Sequence, residues 1–171
     1  LEMEAVDLLQ QFPLAEDAVA ALGVVVWPMI EFEADDALST ATKRFLDDRS
    51  VKQIVLCSPD KDLAQLVNGK RVVCWDRRRE LLIDQSAVLN KYGVRPESIP
   101  DWLALVGDAA DGFPGIKGWG EKSASAVLRK YRHLERIPDD PVSWRLPSMS
   151  PGRAVGLAQA LVSHREQALL F

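Results

Sequence analysis

Four short, strand-like apolar runs lie early in this 171-residue chain, at residues 24–27 (Val-Val-Val-Trp), 53–57 (Gln-Ile-Val-Leu-Cys), 71–75 (Arg-Val-Val-Cys-Trp) and 80–83 (Glu-Leu-Leu-Ile). No convincing strand follows Asp84. The first runs alternate with helix-period segments, and strands this continuously apolar suit a sheet covered on both faces. Strand, helix, strand, helix, strand therefore predicts a parallel α/β sheet with flanking helices. Residues 71–75 and 80–83 are expected to pair as a hairpin across Asp76-Arg-Arg-Arg79. The boundary falls near residue 84, giving an α/β part over 1–84 and a helical part over 85–171.

Individual helices follow from periodicity and caps. Residues 4–22 carry apolar positions at helical spacing (Val6, Leu9, Leu14, Ala18, Ala21, Leu22), interrupted at Pro13, and Gly23 ends them. Residues 34–46 read as a helix with Leu38, Ala41, Thr42 and Phe45 inward. A short helix follows at 61–67, Asp84 caps one through Lys91, and Pro100 opens one through Val106. Residues 121–131 and 154–168 complete the set, and the proline- and serine-rich stretch 138–151 between them reads as a mobile loop.

Carboxylates gather where apolar runs meet loops. They are Glu33, Asp35 and Asp36, then Asp60 and Asp62, then Asp108 and Asp111. Each cluster alone is explained by helix capping or turn formation. Taken together, acidic groups aimed into one cleft repel unless cations hold them, which implies hard divalent metals. The carboxyl edge of such a sheet is where ligand sites collect.

A glycine-rich segment follows the last cluster: Gly112-Phe-Pro-Gly115-Ile-Lys117-Gly118-Trp-Gly120-Glu-Lys122-Ser123. Gly118 and Gly120 permit a tight turn, and the helix starting at Glu121 directs its N-terminus toward it. Exposed amides and the helix dipole make an anion site, flanked by Lys117 and Lys122. Such a hairpin grips sugar-phosphate backbone without reading bases. Net charge is −4, yet six Lys and Arg against two Glu between Phe113 and Arg136 form a basic strip on an acidic body. A solvated helix face is the plain alternative for the strip. An aspartyl phosphotransferase reading of Asp60-Lys-Asp62 is disfavoured by Leu63, which stands where a small hydroxyl or β-branched residue is usual.

The chain resembles the bacterial 5′-3′ exonuclease and flap endonuclease family, which includes the N-terminal nuclease domain of DNA polymerase I. The likeness covers roughly residues 14–135. It is carried by Phe32-Glu-Ala-Asp-Asp-Ala-Leu38, Pro59-Asp-Lys-Asp-Leu-Ala-Gln-Leu66 and the block from Trp102 to Ser125. The resemblance implies a PIN-like α/β nuclease with a helix-three-turn-helix element binding duplex DNA at a 5′ end or flap. It further implies two Mg²⁺ or Mn²⁺ ions, with Glu33, Asp35 and Asp60 serving the first and Asp36 in support. Asp62, Asp108 and Asp111 would serve the second. Gly115, Lys117, Gly118, Gly120, Lys122 and Ser123 would hold DNA, with a K⁺ bound by backbone carbonyls of the hairpin. The alternative is a non-catalytic duplex-binding module, since the family's first strand and basic arch have no counterpart here.

Two departures from the family pattern stand out: Gly112 where Asn is common, and Trp119 where an aliphatic residue is favoured between the hairpin glycines. Trp119 is expected either to stack on sugar or to pack under the turn. Cys57 and Cys74 read as buried and reduced, which suggests a cytoplasmic protein; the absence of an 18-residue apolar stretch predicts no membrane contact, and a monomer is expected. His133 and His164 have no partner spacing, Trp27, Trp75 and Trp102 read as core, and Trp144 has no assigned face.

Overall fold

The computed structural model describes residues 2–170, with side chains from residue 8 onward. The side chain of Val6, one of the apolar positions at helical spacing, lies outside that range. Two compact units are present, residues 1–41 and 42–171.

The first unit is dominated by helix α1 (Glu2–Ala21), which runs through Pro13 rather than stopping there. Proline forfeits one helical hydrogen bond, a loss the long helix tolerates. Gly23, with φ +80°, turns the chain out of α1. Residues 24–29 form no strand, and Val25 and Trp27 are exposed. The expected strand is thus corrected, and Trp27 is not core. An apolar run becomes a strand only when another strand supplies hydrogen-bond partners; the sheet among the described residues contains three other segments. Helix α2 (Ala34–Leu46) begins in this unit, with Asp35 and Asp36 in its first turn. Thr42 is its buried position, while Phe45 is exposed.

The second unit holds a sheet of order β1-β2-β3, from β1 (Ile54–Leu56), β2 (Val72–Asp76) and β3 (Leu81–Ile83). β1 and β2 are parallel, with Ile54 opposite Val72, and β2 and β3 form the expected antiparallel hairpin, with Cys74 opposite Ile83. Asp76 fixes its turn by accepting the Arg78 and Arg79 amides at 3.0 and 3.1 Å. Val72, Val73 and Cys74 are buried, whereas Cys57 and Trp75 are exposed, which corrects their placement. Arg71 donates to the carbonyls of Leu46 and Asp48 at 3.1 and 2.7 Å, and also to that of Val51. A cation satisfying the last carbonyl of α2 is a favourable helix ending.

After the sheet come α3 (Gln85–Tyr92), α4 (Ile99–Val106), α5 (Glu121–Tyr131) and α6 (Pro151–Ala168). Asp84 caps α3 by accepting the Ala87 amide at 2.9 Å. α4 buries Trp102, Leu103 and Leu105, and α4 packs on α5. Ser125 ties both to α3: it accepts from the Trp102 indole at 3.2 Å and donates to the Tyr92 carbonyl at 2.6 Å. Arg165 of α6 donates to the Leu134 and Ile137 carbonyls and to the Asp139 carboxylate, at 3.0, 2.7 and 2.8 Å. Within the 138–151 stretch, a 3-10 turn at Pro141–Ser143 delivers Trp144 into the core.

Candidate functional site

In the second unit the chain leaves β1 and enters a 3-10 turn, Asp62–Leu66. Asp60 accepts the Asp62 amide at 3.0 Å and Ser58 accepts the Asp60 amide at 3.1 Å, so the turn is held by its own side chains. Leu63 and Ala64 bury beneath it. Asp62 is thereby fixed at the turn's first position.

Asp108 and Asp111 lie on a loop whose base is closed by paired backbone bonds between Asp108 and Phe113, at 2.9 and 2.8 Å. Gly107 and Gly115 make the closure possible. A Cβ on Gly115 would stand 2.6 Å from the Val106 carbonyl carbon and oxygen, and its φ is +65°. No other residue fits both conditions without displacement. Asp108 is buried and accepts the Ala110 amide at 3.1 Å.

The loop brings Asp108 and Asp111 to Asp62: one oxygen of each lies within 4.8 Å of the others. Lys61 inserts its ammonium into this group, ion-paired to Asp108 and 4.0 Å from Asp111. Oxygen donors at this spacing suit a hard divalent cation, and the ammonium is a stand-in for one. The three residues therefore fit a metal. Glu33, Asp35 and Asp36 belong to the first unit. There Asp36 accepts the Glu33 amide at 3.0 Å, the capping geometry of a helix start.

Gly115 closes the acidic loop and also begins the glycine hairpin. Ile116 and Trp119 are buried, while Lys117, Gly118 and Lys122 are exposed. Gly118 has φ +93°. Ser123 accepts the Gly120 amide at 3.0 Å and donates to the Gly120 carbonyl at 2.9 Å, capping α5. Trp119 packs under the turn: its indole donates to the Leu157 carbonyl at 3.2 Å and it lies 5.9 Å from the Trp144 ring. Arg153 of α6 donates to the Gly118 carbonyl at 2.7 Å. Between α5 and the start of α6 lies an open groove of about 800 Å³, lined in part by Lys122, Ser123, Ser148, Ser150 and Arg153. Two helix N-termini and two cations on one groove favour an anion.

Sequence reasoning missed Lys61, Arg153 and one pair. His133 bonds through Nδ1 with Asp101 at 3.1 Å, and Asp101 also accepts the Leu134 amide at 2.8 Å. With exposed Glu135 they form a second group of metal-ligating types. Burial raises the Asp101 carboxyl above its ordinary range, and the Leu134 amide and His133 act against that rise. The only local hint for Lys61 was a cation between two aspartates; Asp101 and His133 are separated too far in sequence to give one.

Residues 2–93 match the family described as 5′-3′ exonuclease, N-terminal resolvase-like domain, and residues 94–171 match its C-terminal SAM fold. The 5′-3′ exonuclease of Aquifex aeolicus is 35% identical over 127 residues, covering 74% of this chain and 43% of that protein. The thermostable DNA polymerase I of Thermus thermophilus is 35% identical over 131 residues, covering 77% of this chain and 15% of that protein. Zinc-bound 5′-exonuclease of bacteriophage T5 superposes with a TM-score of 0.73 at 22% identity, covering 98% of this chain and 59% of that one. The chain belongs to the 5′-3′ exonuclease family. It spans less than half the length of these two sequence relatives.

Proposed function

We propose that the protein hydrolyses DNA phosphodiester bonds at 5′ ends or flaps, as a metal-dependent 5′ nuclease. The reading rests on one observation: Asp62, Asp108 and Asp111 converge on a loop that closes at Gly115, where the phosphate-binding hairpin starts. Divalent Mg²⁺ or Mn²⁺, when bound, supplies charge neutralisation at the phosphate and acidifies water.

The protein's residues divide the remaining work. Asp62, Asp108 and Asp111 hold one ion. Glu33, Asp35 and Asp60, with Asp36 in support, hold the other, a proposal carried by sequence and family membership. Lys117, Lys122 and the amides of Gly118 and Gly120 grip the duplex backbone, with Gly115 and Ser123 shaping the turn. Since the T5 flap endonuclease has been crystallised with DNA and metal ions, duplex DNA is the proposed partner here. A K⁺ at the hairpin carbonyls is part of the same reading, though at Gly118 the carbonyl already receives Arg153. The 1–84 part would carry most of the metal site and 85–171 the DNA grip. Unpaired Cys57 and Cys74 fit a reducing cytoplasm, where the protein would act as a monomer. No helix among the described residues is long and apolar enough to cross a membrane.

The test is cleavage of a 5′-flap duplex in Mg²⁺ by the wild type and by Asp108→Asn. Loss of cleavage by orders of magnitude with duplex binding retained supports the proposal. Duplex binding with no cleavage by the wild type would instead favour a non-catalytic binding module.

A further inference from the structure

We propose that Lys61 is a tethered cation that occupies the Asp62–Asp108–Asp111 site until a divalent ion displaces it, so that this side chain sets the affinity of the site. The inference rests on the metal-site reading above. Three carboxylates whose oxygens lie within 4.8 Å repel one another. Lys61 answers that repulsion by pairing with Asp108 and approaching Asp111 to 4.0 Å. The Asp108 side chain is 4% exposed and Lys61 35%, so the ammonium enters from the solvent side of a nearly buried partner.

The backbone around Lys61 is fixed while its side chain is free to leave. Asp60 accepts the Asp62 amide across it, and Ala64 donates its amide to the Lys61 carbonyl at 3.0 Å. A lysine has a compact charge on a flexible four-carbon stem, so withdrawal needs rotamer changes alone. A metal must compete with this resident ammonium. Its apparent affinity falls by the fraction of molecules in which the site is open. Weakly bound monovalent cations are excluded by the same competition.

Calorimetric titration of Mn²⁺ into the intact protein tests this, comparing wild type with Lys61→Met, Lys61→Arg, Lys52→Met and Asp108→Asn. Lys61→Met is expected to bind Mn²⁺ on the order of tenfold more tightly. Lys61→Arg, retaining the charge, and Lys52→Met, removing an exposed lysine elsewhere, should stay near wild type. In the unmodified protein, acetylation of Lys61 followed by mass spectrometry should rise severalfold on adding Mg²⁺. If Lys61→Met binds equally or less tightly while Asp108→Asn loses the ion, the displacement idea is overturned and the metal site stands. Equal tightening in Lys52→Met overturns it as a bulk charge effect. If Asp108→Asn binds like wild type, the metal-site reading itself fails.

Discussion

The Trp119 indole donates to the Leu157 carbonyl at 3.2 Å, fastening the glycine hairpin to a helix that begins at Pro151. The hairpin is thus held from below as well as by its own flanking helices. Trp119→Phe should remove the bond while keeping most of the packing, costing about 1–2 kcal/mol. Trp119→Ala should cost about 3–5 kcal/mol. Urea unfolding of both variants checks the ordering.

Gly115 and Gly112 share left-handed backbone, at φ +65° and +76°, but only Gly115 has backbone packed where a Cβ would go. Gly115→Ala should lose at least about 2 kcal/mol, from conformational strain plus overpacking. Gly112→Asn should lose about 1 kcal/mol or less, because asparagine tolerates this region. A thermal melt of the two variants side by side separates strain from crowding.

Lys122 lies at the groove beside the N-terminus of α5. If it neutralises one phosphate, Lys122→Ala should weaken duplex binding evenly across sequences. The slope of log affinity against log salt should become shallower by about 0.9. Fluorescence anisotropy over a salt series measures it, and an unchanged slope would remove Lys122 from the interface.

Asp101 gives the acid limb of stability a definite sign. Burial raises its native carboxyl above the unfolded value of 3.8. Its contribution is therefore complete below that value and is lost as pH rises through the raised native one. Asp101→Asn removes this loss. The variant's stability relative to wild type should improve as pH climbs from 3.8 through the native titration. Urea midpoints across that interval test it, with His133→Gln as the control for the paired ring.

The two cysteines should differ sharply. Burial pushes the Cys74 thiol up to about 11, while Cys57 is exposed. A thiolate-selective reagent at mildly alkaline pH should label Cys57 in the native protein and Cys74 only after unfolding. Equal native labelling would contradict the burial of β2.

Local chemistry explains which elements were legible in the sequence. Helix α5 was expected at 121–131 and occurs there, because a glycine cap and an amphipathic run carry their own boundaries. The Asp84 cap and the hairpin about Asp76 were equally self-contained. Residues 24–27 misled because valine-rich segments need a neighbour to become strands, and a neighbour is not written into the segment. His133 looked partnerless because Asp101 reaches it only through the packing of α4. Trp144 was unplaceable because its ring neighbour in the core is Trp119, 25 positions earlier. At the acidic site the aspartates were readable as types, whereas the intrusion of Lys61 among them required the folded loop.

Arg165 carries a last consequence. Its guanidinium gathers Leu134, Ile137 and Asp139 into one fan of acceptors, so residues 134–139 borrow their shape from the far end of the chain. Clipping the polypeptide just ahead of Arg165 would therefore shorten a helix and also unmoor the strap that follows α5.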